Sequence, residues 1–144
     1  IFGLRTIVSR SLGLIPTLTE YLHEFSAQTG IQVSLNVLDE KGTRLTPTAE
    51  VQLIRIIQES LTNVRKHARS SSAIIRFDYK DGKGRIFIED NGGGFEPSVH
   101  GKASSLHFGL QTMKERAQAA GGKLEIQSDP ASGTQIIVTL PVIP

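Results

Sequence analysis

The chain contains no cysteine, which removes disulfides, zinc–thiolate centres and thiol catalysis at once and fits a reducing compartment. It has no basic tract. Sixteen Lys and Arg against fourteen Asp and Glu leave a formal charge of only +2. Because those cations are spread along the chain, a nucleic-acid role has nothing to rest on. No apolar run approaches the roughly 20 residues that a membrane-spanning helix needs. There are no internal repeats and no low-complexity tract. The opening "IFGLRTIVSRSLG" has neither an initiator Met nor the layout of a signal peptide, so the chain is expected to be a fragment of something longer. What is present is ordinary for a soluble globular domain: 144 residues, 38% hydrophobic and 21% charged, enough for one domain around a single core.

Local patterns divide the chain cleanly. "LIPTLTEYLHEFSAQT" (14–29) places Leu18, Leu22 and Phe25 at helical spacing, and Gly30 closes the segment. "IQVSLNV" alternates Ile31, Val33, Leu35 and Val37, the pattern of a half-buried strand. After the loop "DEKGTR", Thr46 can cap a helix that has Pro47 at its first position and Glu50 nearby. That helix runs to about Ala68, roughly 33 Å at 1.5 Å per residue. "SAIIRFDYK" and "GRIFIED" flank "DGKG" as a hairpin. "GLQTMKERAQAA" is a helix with Leu110, Met113 and Ala117 inward, opened by Gly109 and ended by Gly121–Gly122. "KLEIQS" and "TQIIVTL" form a last hairpin around "DPASG". The order predicts a two-layer α/β sandwich, with three helices on one face of a mixed, mostly antiparallel sheet. Between Asn91 and His107 about seventeen residues show no period, a length at which loops are usually functional lids or disordered.

Two stretches carry chemistry. On the long helix, Leu53, Ile54, Ile57, Leu61, Val64 and Ala68 form an apolar stripe. Glu59, Asn63, Lys66 and His67 project within an arc of about 100° on one flank of it. That flank offers a carboxylate, a neutral oxygen ligand, a cation and an imidazole, although a solvated helix face also collects Glu, Asn and Lys. In "IFIEDNGGGF" an acidic pair ends an apolar strand and three glycines follow. An Asp so placed can aim its carboxylate into a pocket while the glycines let backbone N–H groups approach a ligand. An ordinary glycine-rich turn would read the same way. Amides free at a helix start near Gly109 would suit a phosphate.

The combination is more specific than its parts. "ESLTNVRKHA", "DNGGGF", "FGLQTMKER" and "GTQIIVTLP", in this order and on these elements, resemble the N, G1 and G2 boxes of the ATPase superfamily that includes gyrase, mismatch-repair proteins and histidine kinases. The "HA" after the Asn and the "GLxxMxER" helix resemble the histidine-kinase subclass that partners LuxR-type response regulators. The resemblance spans roughly residues 14–141, in a fold of the Bergerat ATP-binding type.

The resemblance implies ATP and Mg²⁺ as cofactors and gives each position a role. Asn63 would be an oxygen ligand of Mg²⁺, and Glu59 would orient water on that metal or act as a weak base. Lys66 would meet phosphate oxygens, with His67 on the ribose or phosphate side. Asp90 would accept the adenine amino hydrogen, supported by Thr134. Gly92 and Gly94 would let the backbone pass close to the base and hinge a lid, which Gly109 and Leu110 would close over the phosphates. The lid is expected to be mobile until nucleotide orders it, with Phe95, Leu106 and Phe108 packing on closure.

The resulting expectation is a linker remnant of a dimerisation helix over 1–13 and an ATP-binding catalytic domain over 14–144. This domain of a sensor histidine kinase would transfer the ATP γ-phosphoryl to a histidine on a separate dimerisation domain. Its partners would be that domain and a downstream response regulator, with no nucleic acid and no membrane contact. The isolated domain would be a monomer on the cytoplasmic side, whether or not its parent is membrane-anchored. The acceptor motif is absent: His23, with Glu24 beside it, lies on the first helix and reads as surface, and His100 and His107 fall in the lid. "LRT" stands where relatives have Leu-Arg-Pro, and the lid carries fewer glycines than many relatives. The alternatives are a free-standing anti-sigma-type serine kinase and a nucleotide-binding docking module without catalysis.

Overall fold

The computed structural model describes residues 13–68, 71–92, 104–129 and 133–144. Helix α1 spans Leu14–Thr29 and buries Leu14, Leu18, Leu22 and Phe25. It ends at Gly30, whose φ of 78° is the left-handed conformation that side chains disfavour. Strand β1 (Gln32–Val37) and a 3₁₀ turn (Glu40–Thr43) lead to helix α2, Pro47–Asn63. Thr46 caps α2 by accepting a hydrogen bond from the Ala49 N–H at 3.1 Å, and Pro47 occupies the first turn, where its missing N–H costs nothing. The helix continues to Ala68, but its last residues, Val64–Ala68, widen into a π-helical turn.

Strands β2 (Ser72–Lys80) and β3 (Lys83–Asp90) pair as an antiparallel hairpin. The two linking residues, Asp81 and Gly82, have φ of 54° and 77°, as a tight turn matching the strand twist requires. Helix α3 spans Ser104–Ala119, and β4 (Lys123–Asp129) and β5 (Gly133–Pro141) complete the chain. The five-stranded sheet has the order β1-β2-β3-β5-β4. Only β1–β2 is parallel; the other three pairs are antiparallel.

The core lies between the helices and one sheet face. Ala73, Ile75 and Phe77 of β2, Ile86 and Ile88 of β3, and Ile136, Val138 and Leu140 of β5 all point into it. This alternation is the signature of a sheet covered on one side, and the expected two-layer sandwich is what forms. The opposite face carries Phe87 with the guanidinium groups of Arg76 and Arg85 at 5.0 and 5.1 Å from its ring centre, and Arg76 also pairs with Glu89. Two details depart from the local patterns. Ile56 and Ser60 of α2 are buried beyond the predicted stripe, because α3 covers a second side of that helix. Helix α3 starts at Ser104, five residues before the predicted opening at Gly109. The linker assigned to 1–13 lies outside the described residues except for Gly13, as do Gly94, Phe95, His100 and most of the predicted lid.

Candidate functional site

The alternation of β3 leads directly to the site. Gly84, Ile86 and Ile88 point toward the helices, so Asp90 is the next residue on that face, at the open end of the strand. On β5 the same parity carries Ile136 inward and, one step earlier, Thr134. The register, with Glu89 opposite Gln135 and Ala73 opposite Asp90, sets Asp90 beside Thr134. A half-buried carboxylate at the end of an apolar strand costs free energy unless it is hydrogen-bonded. Here Asp90 Oδ1 accepts from the Gly92 N–H at 2.8 Å, and the Thr134 N–H also donates to the carboxylate. Burial pushes the Asp90 pKa above the ordinary value, and the two N–H donors pull against that rise without cancelling it.

Glycine is required at the corner. Gly133 has φ of 90°, and a Cβ there would collide with the Asp90 carbonyl oxygen. Beside it, Ser128 of β4 stands opposite Thr134, and their hydroxyls are hydrogen-bonded at 2.9 Å. Asp90, Ser128, Gly133 and Thr134, together with Glu89, Gln127 and Gln135 from the opposite face of the sheet, border a cavity of about 320 Å³ at the strand ends.

The second set of residues is on α2. Glu59 and Asn63 are one turn apart and both are partly exposed. The Asn63 Nδ2 is buried without a hydrogen-bond partner, an arrangement that folded proteins rarely tolerate without a reason. Gly109 of α3 backs directly onto Glu59: a Cβ at 109 would collide with Glu59 Oε1. Ser60, between them in sequence, is fully buried and ties the two helices together. Its hydroxyl donates to the Ile56 carbonyl at 2.7 Å and lies 3.3 Å from Met113 Sδ.

The structure thus brings Asp90, Gly92 and Thr134 together at the sheet end, and Glu59 and Gly109 together between α2 and α3. Leu110 packs partly buried against the core. Lys66 is exposed on the π-helical turn. That turn advances fewer degrees per residue than an α-helix, so Lys66 is rotated away from the place an α-helical projection gives it. The side chain of His67 lies outside the described residues. Gly109 is also not at a helix start: with α3 beginning at Ser104, its N–H lies within the helix and is not one of the free terminal amides. Phe108 is 75% exposed, and His23 is exposed on α1. Ser128 and Ser60 were not predicted. Ser128 is 38 residues beyond Asp90 in sequence and joins it only through the β4–β5 register, though its inward parity with Leu124 and Ile126 was a usable signal.

Among the described residues no group of three or more His, Asp or Glu is placed to hold a metal ion, and no helix is long and apolar enough to cross a membrane.

Similarity to known proteins runs along nearly the whole chain. The profile of the family described as histidine kinase-, DNA gyrase B- and HSP90-like ATPase matches residues 48–144. The signal transduction histidine-protein kinase/phosphatase DegS of Brevibacillus brevis is 39% identical over 142 residues, covering 99% of this chain and 36% of that protein. The sensor histidine kinase LiaS of Bacillus subtilis is 38% identical over 141 residues, covering 98% of this chain and 38% of that protein. The chain therefore spans a little over a third of the length of these relatives. Among solved structures, the histidine kinase domain of the Erythrobacter litoralis EL346 blue-light activated histidine kinase superposes with a TM-score of 0.71 at 18% identity, covering 94% of this chain and 64% of that one, a likeness of fold. Matched over two thirds of its length by the family profile, with the carboxylate, the glycine corner and the Asn-bearing helix in place, the chain belongs to the histidine kinase-, DNA gyrase B- and HSP90-like ATPase family.

Proposed function

We propose that this chain is the ATP-binding catalytic domain of a sensor histidine kinase, delivering the γ-phosphoryl of ATP to a histidine on a separate dimerisation domain. The observation that carries the reading is the likeness to histidine kinases along 98–99% of the chain. In this reading Asp90 accepts a hydrogen bond from the adenine amino group, Thr134 supports it, and Gly92 gives the backbone room at the base. Lys66 meets phosphate oxygens as a point charge. The phosphorylated domain would pass its phosphoryl group to a response regulator of the LuxR type, on the cytoplasmic side where ATP is supplied.

The donors present suit Mg²⁺. The unpartnered Asn63 amide can turn its oxygen to the place now held by Nδ2, since the two ends are interchangeable by a flip. The lack of a protein cluster of ligands among the described residues suits a cation that keeps waters and takes substrate phosphates for the rest of its shell. When bound, the cation would neutralise charge on the phosphates. Glu59, one turn from Asn63 and lying against Gly109, would orient a water of that shell or accept a proton. The rest is positioning: an acceptor imidazole nitrogen attacks the γ-phosphorus in line as the bond to the β-phosphate oxygen breaks.

The test is phosphotransfer in trans. Incubated with labelled ATP and Mg²⁺, the chain alone should gain no stable phosphohistidine, whereas the dimerisation domain of its parent, added to it, should become labelled. Asn63→Ala should stop the reaction. Acid-stable label on serine would point to the serine-kinase alternative, and label on His23 would place the acceptor within this chain.

A further inference from the structure

We propose that the open edge of β1 and the groove between β1 and α1 bind an extended segment of a partner protein as an added strand, one with apolar residues at alternate positions and a Lys or Arg among those that face α1. Strand β1 pairs only with β2 and forms one edge of the sheet. Its bonds fix which groups face outward. The Gln32 N–H donates to the Ser71 carbonyl and the Leu38 N–H to the Phe77 carbonyl, so the even-numbered residues turn their backbone toward β2. The alternate residues Val33, Leu35 and Val37 therefore turn their N–H and C=O groups to the open edge. The two edges of the sheet differ. On the far edge, β4 carries Lys123 and Glu125, an ion pair at 3.4 Å, and charge of that kind discourages pairing with another chain. Gln32–Val37 has no charge, no proline and an unbroken register with β2.

The side chains of the same residues supply a surface for specificity. Val33, Leu35 and Val37 line a groove of about 600 Å³ whose other wall includes Ile15, Thr19 and His23 of α1. An added strand lays its backbone along the edge-facing N–H and C=O groups and alternate side chains over this apolar floor, which is how extended peptides are recognised at a sheet edge. The solvent side of α1 selects the charge. Ile15, Thr19 and His23 also border a second hollow whose rim carries Glu20 and Glu24, one turn apart, and among the described residues no Lys or Arg lines either hollow. This acidic rim suits a Lys or Arg whose methylene stem crosses the groove while its charge reaches the carboxylates. It disfavours a second copy of the chain. Two β1 strands paired about a two-fold axis would set the two α1 rims against each other with like charge, and β1 has no cation to offer.

A labelled peptide of alternating Val and Thr, with one central Val replaced by Lys, is the probe, and fluorescence anisotropy reads its binding. Methylating the amide nitrogens along one edge of the peptide should weaken binding about tenfold or more, since each hydrogen bond lost is worth about threefold to tenfold. Methylating the other edge should change nothing. Val37→Pro removes an outward N–H at an exposed edge position, leaves the bonds to β2, and should cost about threefold to tenfold. Glu20→Lys should reverse the preference for this probe over its Glu-for-Lys counterpart, by about twofold to fivefold in each direction. Failure of the probe to bind the folded chain, equal losses from methylation on both edges, or indifference to the Glu-for-Lys exchange would overturn the proposal. So would concentration-dependent dimerisation in sedimentation that Val37→Pro abolishes, which would give the edge to a second copy.

Discussion

Replacing Asp90 by Asn keeps the shape of the side chain and removes only the charge and half of its accepting capacity. In the proposed reading Asp90 has three donors to serve when nucleotide is bound: the Gly92 and Thr134 N–H groups and the adenine amino group. The Asn amide has one oxygen, so its NH₂ must face a donor. Loss of a hydrogen bond to a charged group costs about 1.5–3 kcal/mol, which is about 10- to 150-fold in ATP affinity. The free protein should respond in the opposite direction. Burial raises the folded-state pKa of Asp90, so the fold penalises the charged form, and the two N–H donors do not offset that penalty. For a raised pKa, the group's contribution to stability is fully present below the unfolded value and is lost as pH rises through the folded one. Asp90→Asn escapes that loss. It should therefore melt no lower than the parent chain at neutral pH, and the advantage should vanish below the ordinary aspartate value of 3.8. Calorimetric titration with ATP and GTP, and thermal melts across that pH range, measure both halves. ATP affinity within twofold of the parent, or equal affinities of the parent for ATP and GTP, would refute the reasoning.

Three other perturbations have defined outcomes. Asn63→Ala relieves a buried, unpartnered amide, so the free protein should lose no stability in urea unfolding and gain up to about 1 kcal/mol, while Mg²⁺-dependent phosphotransfer disappears. Gly133→Ala forces a side chain into left-handed backbone against the Asp90 carbonyl, and should cost about 1–3 kcal/mol together with nucleotide affinity, read from the same two assays. Thr46→Ala removes the α2 cap and should cost about 1 kcal/mol with ATP affinity unchanged, because the cap is at the far end of α2 from Asn63.

The parts of the fold that were legible in the sequence are those written in local chemistry. Thr46–Pro47 starts a helix, Gly30 and Gly121 stop helices, and Asp81–Gly82 turns a hairpin, each by a preference that acts over a few residues. The position of Asp90 followed from strand parity plus the glycines behind it. The less legible features depend on partners far along the chain. Ile56 and Ser60 look like the solvent side of an amphipathic helix until α3 covers them. The early start of α3 was hidden because Phe108, one of its first large apolar residues, faces solvent and breaks the inward pattern. The π-helical turn was hidden because Val64 and Ala68, four apart, fit an α-helical stripe equally well. Ser128 belongs to the site by register alone.

The Asp81–Gly82 turn and Asp90 terminate opposite ends of the same eight-residue strand. At about 3.3 Å per residue the turn is some 25 Å from the cavity. The chain is therefore polarised, with the proposed base site at one rim of the sheet and a simple reversal at the other. The reversal is exposed and made of residues chosen for backbone angle, so insertions there meet neither core nor site. A fluorophore, an affinity tag or a surface attachment introduced between Asp81 and Gly82 would leave the nucleotide rim free. The sheet itself serves as the spacer.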